Sequence, residues 1–275
     1  MKKTKLLFIT CLVLIMTSFT GCTLIDKGMV KLGFRNDYFN YIKENKVDKI
    51  VIQNARDSGF KFVVTDKNAI NDIYDILSNG EERSEKSSLD PDYVFEIHMG
   101  EEVKSYNYVV GTDERKKGNF YNDEKIYQVS KNLDETIIQN LSFIRKPRDF
   151  ETVYYDSILK VLESKKTELK DQKVGIDTSG DVDCLKYMFS TDLSNFEEDI
   201  KGIIPNGELY NRDVEDYDTI ITVKNKGYNS KIFKTHIIVD NKKEKIYENY
   251  YVQGDYEYKS WEININEANK VPDKW

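Results

Sequence analysis

The apolar residues of the first half recur with two periods, one typical of strands and one typical of helices. Apolar runs at 49–53 and 60–65 flank a turn-forming segment and predict a β-hairpin. A helix is predicted next, with Asp66 as its N-cap and apolar residues at helical spacing: Ile70, Ile73, Tyr74 and Leu77. Further strands are predicted over 93–99, 106–110 and 125–129, ahead of a closing helix. This order predicts an α+β domain over residues 47–146.

A second domain is predicted over residues 149–275, because Pro147 restricts the residue before it to extended backbone and so ends the first domain. Helical spacing predicts a helix from Phe150 to Leu162, and a short extended piece follows over 173–177. A capping box formed by Ser194 and Glu197 predicts the start of another helix, which ends before Pro205. The basic residues around Pro147 indicate a solvated linker between the two domains.

Four strands are predicted to close the chain, over 219–224, 231–239, 245–252 and 256–265. Their separators contain turn-forming residues: Asn225 and Gly227, then Asp240 and Asn241, then Gly254 and Asp255. Short separators of this kind predict an antiparallel meander. The predicted fold class is therefore α+β, with two small domains that each pack helices on an antiparallel sheet.

The first 22 residues have the pattern of an export signal, with lysines at the start, an apolar run from Leu6 and small residues at the end. The run of about 14 residues is shorter than the roughly 20 that a membrane-spanning helix needs, which disfavours an uncleaved anchor. Residues 19–22 (Phe-Thr-Gly-Cys) resemble the lipobox of bacterial lipoproteins, although Phe19 departs from the usual leucine. That resemblance implies a signal peptide over 1–21, a fatty acyl chain such as palmitate on Cys22, and a lipidated tether over 22–46. It also implies a location on the outer face of the cell membrane of a Gram-positive-type bacterium.

The net charge of the chain disfavours some classes of binding partner. The chain of 275 residues has a formal net charge of −7, and loss of Lys2, Lys3 and Lys5 with the signal peptide lowers it to about −10. An acidic protein is repelled by nucleic acid and by other polyanions, so we expect no nucleic-acid partner. The remaining expected contacts are the membrane, through the lipid on Cys22, and an unidentified protein or wall component.

The sequence contains few residues that could carry catalysis or bind a cofactor. Cys184 remains after Cys11 is removed and Cys22 is lipidated, and its apolar neighbours favour a small buried side chain over a reactive thiol. His98 and His236 lack metal-spaced neighbours, and the zincin, zinc-ribbon and serine-hydrolase motifs are absent from the sequence. We therefore predict no cofactor and no catalytic residues, although a wall-acting enzyme stays open as an alternative.

Two stretches are weak candidates for binding. Asp177, Asp181 and Asp183 place carboxylates at alternate positions, as a calcium loop does, but the glycine and the closing glutamate of that loop are missing. The alternative is a loop whose acids cap a short helix near Val182. The last two strands carry an aromatic concentration that could form a binding face or could simply stabilise the sheet: Tyr247, Tyr250, Tyr251, Tyr256, Tyr258 and Trp261.

The first domain resembles a known family in three features. These are the hairpin followed by a helix, the acidic segment 89–93 (Leu-Asp-Pro-Asp-Tyr) before a strand, and the late strand 125–130 (Lys-Ile-Tyr-Gln-Val-Ser). Together they are similar to the YhfM-like domain of Gram-positive lipoproteins, a functionally uncharacterised family. The resemblance implies a fold and a location, and it supplies no catalytic residues. The expected function is a membrane-anchored, non-catalytic binding protein, with a solute-binding receptor as a further alternative.

Overall fold

The computed structural model describes residues 30, 35–112, 114, 116–135, 146–210, 214–273 and 275. It contains two β-sheets, each with helices packed on one face, and so confirms the predicted α+β fold in two parts. The predicted signal peptide and Cys22 lie outside the described residues. Within the described residues, none of the helices combines the length and apolar character that a membrane span requires.

Among its described residues, the first half contains seven strands, one complete α-helix, a short π-helical segment (Ile42–Lys46) and helical residues at 132–135. The elements are β1 (Lys49–Asn54), β2 (Lys61–Val64), α1 (Lys67–Ser78), β3 (Glu81–Glu82), β4 (Tyr93–Met99), β5 (Glu102–Tyr108), β6 (Phe120–Tyr121) and β7 (Ile126–Gln128). The strands form one antiparallel sheet in the order β2-β1-β4-β5-β6-β7-β3. Helix α1 begins as predicted, because the Asp66 carboxylate accepts hydrogen bonds from the backbone N–H groups of Asn68 and Ala69.

The core of the first half includes residues that the sequence pattern assigned to the tether. Phe39 and Ile42 are 0 % and 2 % exposed, and they pack against the apolar faces of α1 and the sheet. Asn36 also donates its side-chain amide to the backbone oxygens of Leu77, Ser78 and Gly80 at the end of α1. The folded unit therefore includes the residues from 35 onward, about a dozen residues before the predicted start at 47.

The second half contains a mixed sheet, in contrast to the antiparallel sheet that we predicted. Its elements are α2 (Phe150–Leu169), β8 (Val174–Asp177), α3 (Val182–Leu185), α4 (Ser190–Ile203), β9 (Gly207–Leu209), β10 (Thr219–Tyr228), β11 (Ile232–Asn241), β12 (Ile246–Glu257) and β13 (Ser260–Ile265). Strands β10 to β13 form the predicted antiparallel meander. Strand β8 then pairs in parallel with β10 and with β9, because α4 crosses back between β8 and β9.

Two local predictions in the second half are wrong. Helix α4 begins at Ser190, so Ser194 and Glu197 lie inside the helix and do not cap it. The last turn of the meander lies at Tyr258 and Lys259, whereas Gly254 and its neighbour Asp255 continue β12. A Cβ atom at position 254 would lie 2.8 Å from the Val153 side chain and 3.2 Å from the Trp261 ring. Gly254 is thus used for close packing and not for a turn.

Candidate functional site

A buried polar cluster joins the two halves of the protein, and we call it the seam. Asp92, which precedes β4, is fully buried, and one of its carboxylate oxygens lies 2.6 Å from the guanidinium of Arg56. The same oxygen accepts a hydrogen bond of 2.7 Å from the backbone N–H of Ser190, the first residue of α4. Arg56 also donates to the Ser190 hydroxyl. A carboxylate of the first half therefore caps a helix of the second half.

Three hydrogen-bond donors stabilise the negative charge on Asp92: the Arg56 guanidinium and the backbone N–H groups of Ser190 and Val110. Its second oxygen accepts a 2.8 Å hydrogen bond from the backbone N–H of Val110. Burial raises the pKa of the Asp92 carboxyl, while Arg56 and the two backbone N–H groups act in the opposite direction. The Asp92 carboxylate is buried away from water, and both of its oxygens already accept hydrogen bonds. The seam therefore has the properties of a structural contact between the halves and not those of a reactive centre.

More acidic groups and one unpaired hydroxyl surround the seam. Burial and the nearby Glu151 raise the pKa of Asp192 to about 6, against the opposing effect of Lys146. The Tyr155 hydroxyl of α2 is buried and lacks a hydrogen-bond partner among the described residues. Burial raises the Tyr155 pKa, and the negative charge of Asp192 adds to that increase. Asp192 thus lies close enough to Glu151 and Asp92 for their negative charges to raise its pKa.

The linker between the halves contacts the second half, while Lys146 and Arg148 themselves are exposed, in agreement with the prediction of a solvated segment. The Lys146 ammonium lies 5.7–5.9 Å from the ring centroids of Phe150, Tyr187 and Phe189. Each of these contacts is within the range of a cation–π interaction. Pro147 is buried between the two basic residues. The linker therefore holds a defined path over the second half.

Arg148 connects this linker to the end of the β12–β13 hairpin. Its guanidinium lies 5.3 Å from the ring centroid of Tyr256, and its backbone oxygen accepts a 2.8 Å hydrogen bond from the indole N–H of Trp261. Tyr256 and Trp261 are register partners, and their rings meet edge to face with centroids 5.2 Å apart. Tyr258 extends from the turn beyond them and is 97 % exposed. We call these four residues, Arg148, Tyr256, Tyr258 and Trp261, the hairpin end.

The six aromatic residues predicted as one binding face are distributed over three places. Tyr250 is buried in the core between the sheet and the helices. Tyr247 and Tyr251 lie on the opposite face of the sheet, since successive side chains of a strand alternate. The other three, Tyr256, Tyr258 and Trp261, come together at the hairpin end. Sequence reasoning identified these three but missed Arg148, because a linker arginine carries no pattern that points to a distant tyrosine.

The carboxylates of the weak calcium candidate do not converge. Asp177 accepts hydrogen bonds from the backbone N–H and the hydroxyl of Ser179 within its own loop. Asp181 points inward and accepts 3.0 Å hydrogen bonds from the Tyr154 hydroxyl and the Asn225 backbone N–H. Asp183 is exposed on α3. Among the described residues, no group of three or more His, Cys, Asp or Glu side chains is placed to hold a metal ion.

The remaining candidate side chains, Cys184, His98 and His236, are either buried or in contact with neighbouring side chains. Cys184 is fully buried, as predicted, and burial raises the pKa of its thiol. His98 lies 3.3 Å from the carboxylate of Glu96 on the outer face of the first sheet. The His236 Nε2–H donates a 2.9 Å hydrogen bond to Asn249 Oδ1, and its ring stacks on Tyr251 with ring centroids 4.8 Å apart.

An open groove of about 490 Å³ lies beside the first residues of β8 and β9. Its charged lining residues are Asp171, Lys173, Lys201, Glu208 and Asp218. The Lys201 ammonium lies 3.1 Å from Glu197, and the Glu208 carboxylate accepts a hydrogen bond from the Tyr217 hydroxyl. Two of the charged side chains that line the groove thus already have partners within the protein. The hairpin end, with its exposed aromatic side chain, is therefore the stronger candidate for a binding surface.

Comparison with known proteins finds a similarity to one family within the first half. A sequence profile described as YhfM protein matches residues 43–147, which confirms the resemblance seen in the sequence for this stretch. Searches among curated proteins and among solved structures returned no match.

Proposed function

We propose that this protein is an extracytoplasmic lipoprotein. Its folded part, which includes the stretch similar to the YhfM family, binds a protein or a wall component without catalysing a reaction. The observation that carries the proposal is the N-terminal segment, in which basic residues, a short apolar run and a small-residue motif lead to Cys22. A lipid on Cys22 would hold the protein at the outer face of the cell membrane.

The described fold is compatible with such an anchor. Asn36 is held at the end of α1, and it lies 14 residues after Cys22. A fully extended chain of this length reaches at most about 50 Å. The folded part would therefore stay close to the membrane surface, and its partner would be another component of that surface or of the adjacent wall.

The chemistry of the described residues supports binding over catalysis. The Cys184 thiol is buried with a raised pKa, which disfavours the thiolate that a nucleophile requires. The hairpin end instead presents tyrosine, tryptophan and arginine, which are the residue types that most often anchor protein interfaces.

Substitution of Cys22 tests the anchor. We expect Cys22→Ala to accumulate as precursor and to lose labelling by a fatty-acid analogue in growing cells, because the modified thiol is gone. The matched controls are Cys11→Ala and Cys184→Ala, which should keep the label. Persistent labelling of the Cys22 variant, or loss of labelling in the Cys11 control alone, would contradict the proposal.

A further inference from the structure

The turn at the hairpin end adopts a backbone conformation that its residues disfavour. Tyr258 and Lys259 have φ values of 50° and 66°, both in the left-handed region. Two-residue hairpin turns need this conformation, and Asn-Gly adopts it with little strain. A bulky tyrosine is an outlier there, because its Cβ crowds the neighbouring backbone.

Folding alone does not account for this choice of residues. Gly254 and Asp255 are turn-forming residues, yet β12 continues through them and extends the hairpin by several residues. Tyr258 is 97 % exposed, so its ring gains almost no stabilisation from burial. Strain at a residue whose own side chain gains nothing from packing is a sign of a functional position.

The rest of the hairpin end fixes the two strands that flank the turn. The edge-to-face contact of Tyr256 with Trp261 joins the two strands directly before the turn. Arg148 covers Tyr256 and accepts the indole hydrogen bond of Trp261 through its backbone oxygen. The backbone of the turn is therefore pre-organised, which lowers the backbone entropy that a binding partner would have to remove.

Shape and charge indicate the class of partner. A single aromatic ring on a protruding turn is convex, so it fits a concave pocket better than a flat glycan chain. Asp255 and Glu262 are register partners on the face of the hairpin opposite Tyr256, and Glu257 follows on that same face. These three carboxylates outnumber the two cations beside them, Lys259 and Arg148, and this net negative charge disfavours an anionic membrane surface and favours basic residues around the pocket.

We propose that Tyr258 is an anchor residue that inserts into an apolar pocket with a basic rim on a protein partner. This inference rests on the proposed binding function and specifies the class of partner and the point of contact. Lys259 completes the turn, and the other residues of the hairpin end support it.

Photocrosslinking on intact cells can test the point of contact. A benzoylphenylalanine residue replaces Tyr258 in the full-length protein, or replaces Tyr247, which is 57 % exposed near the start of β12 and serves as the matched control. We expect a discrete protein adduct from position 258 and none from position 247. The captured protein is then identified by mass spectrometry and purified for binding measurements.

The double variant Tyr258→Asn with Lys259→Gly separates a role in binding from a role in folding. We expect its melting temperature to rise by about 3 °C or more, because the turn strain is relieved. Its affinity for the purified partner should fall at least tenfold, and the wild-type affinity should fall as salt is raised. A more stable protein that binds more weakly cannot be explained by misfolding.

Several outcomes would overturn the inference. An unchanged affinity in the double variant would show that Tyr258 is not an anchor. Tyr258-dependent binding to purified wall glycan, or to vesicles of phosphatidylglycerol, would replace the protein partner with another class. A protein adduct from position 247 alone would refute this contact while leaving the proposed binding function intact. Absence of any adduct from either position would count against both.

Discussion

Asp181 shows how much a single side chain depends on its distant partners. It occupies the N-cap position of α3, but its carboxylate makes no side-chain cap and bonds to Tyr154 and Asn225. Burial raises the pKa of Asp181, and these two donors act in the opposite direction. Its role is to satisfy buried donors that come from α2 and β10.

We expect Asp181→Ala to lower the free energy of unfolding by about 1–3 kcal/mol, because it leaves the Tyr154 hydroxyl and the Asn225 N–H without an acceptor. Asp183→Ala, at an exposed position two residues away, should change it by less than about 0.5 kcal/mol. Chemical denaturation of both variants measures the difference. Equal effects would mean that the inward hydrogen bonds of Asp181 carry no stability.

The same loop allows a test of the calcium interpretation. Because its carboxylates do not converge, we expect the melting temperature to be the same in chelator and in millimolar calcium. Calcium at about a hundred times its Kd would otherwise stabilise the folded state by roughly 2.7 kcal/mol. A rise of several degrees that disappears when Asp181 and Asp183 are both changed to Asn would contradict this expectation.

Asp192 should make stability depend on pH near neutrality. Its pKa of about 6 in the folded protein lies above its ordinary value of 3.8, because of burial and of the negative charges of Glu151 and Asp92, which Lys146 only partly offsets. The folded state therefore binds more protons than the unfolded state between these values, and stability is lost as pH rises through 6. Asp192 should contribute a loss of about 1 kcal/mol between pH 5 and pH 7.

Urea unfolding at pH 5 and pH 7 measures this loss in the wild type and in Asp192→Asn. The variant cannot ionise at this position, so its pH dependence should be smaller by about 1 kcal/mol. Parallel pH curves for the two proteins would exclude Asp192 as the source.

At the scale of elements, the segment from residue 35 to 46 is part of the first half and not a spacer. Phe39 contacts the rings of Tyr106, Phe120 and Tyr127, with centroids 5.0–6.0 Å apart. The sequence pattern predicted a domain over 47–146. A fragment with these bounds would lack the rings of Phe39, which lies in the core of the first half, and of Tyr41, which packs against that core.

We expect Phe39→Ala to lower the free energy of unfolding by about 3–5 kcal/mol, since it removes a fully buried aromatic side chain and leaves a cavity. Val63→Ala is the control, because Val63 is 50 % exposed and should cost well under 1 kcal/mol. Thermal or urea unfolding measures both. A small effect of Phe39→Ala would show that the segment before residue 47 contributes little to the core.

At the scale of the whole molecule, the seam joins the two halves through a buried ion pair. Removing one partner of such a pair leaves the other charge buried without compensation. We expect Arg56→Ala to lower the free energy of unfolding by about 3–5 kcal/mol and to split a single calorimetric transition into two. The control is Arg83→Ala, whose ion pair with the exposed Glu81 should contribute no more than about 1 kcal/mol. One unchanged transition in Arg56→Ala would show that the halves are coupled by other contacts.

The sequence by itself determined the features that depend on near neighbours in the chain. Periodicity located the hairpin of β1 and β2, and the Asp66 cap located the start of α1, because strand alternation and helix caps act over two to four residues. The apolar neighbours of Cys184 correctly indicated its burial. The α+β class followed from the order of these elements.

Only the tertiary structure decided the features that join residues far apart. Helix α4 starts at Ser190 because Asp92, 98 positions earlier, supplies the acceptor for its first N–H, whereas the local capping box lies inside the helix. The last turn lies at Tyr258 because Gly254 is required where Val153 approaches the sheet. Local patterns list the conformations that a segment can adopt, and the packing of distant segments selects among them, since burial and hydrogen-bond satisfaction outweigh turn and cap preferences.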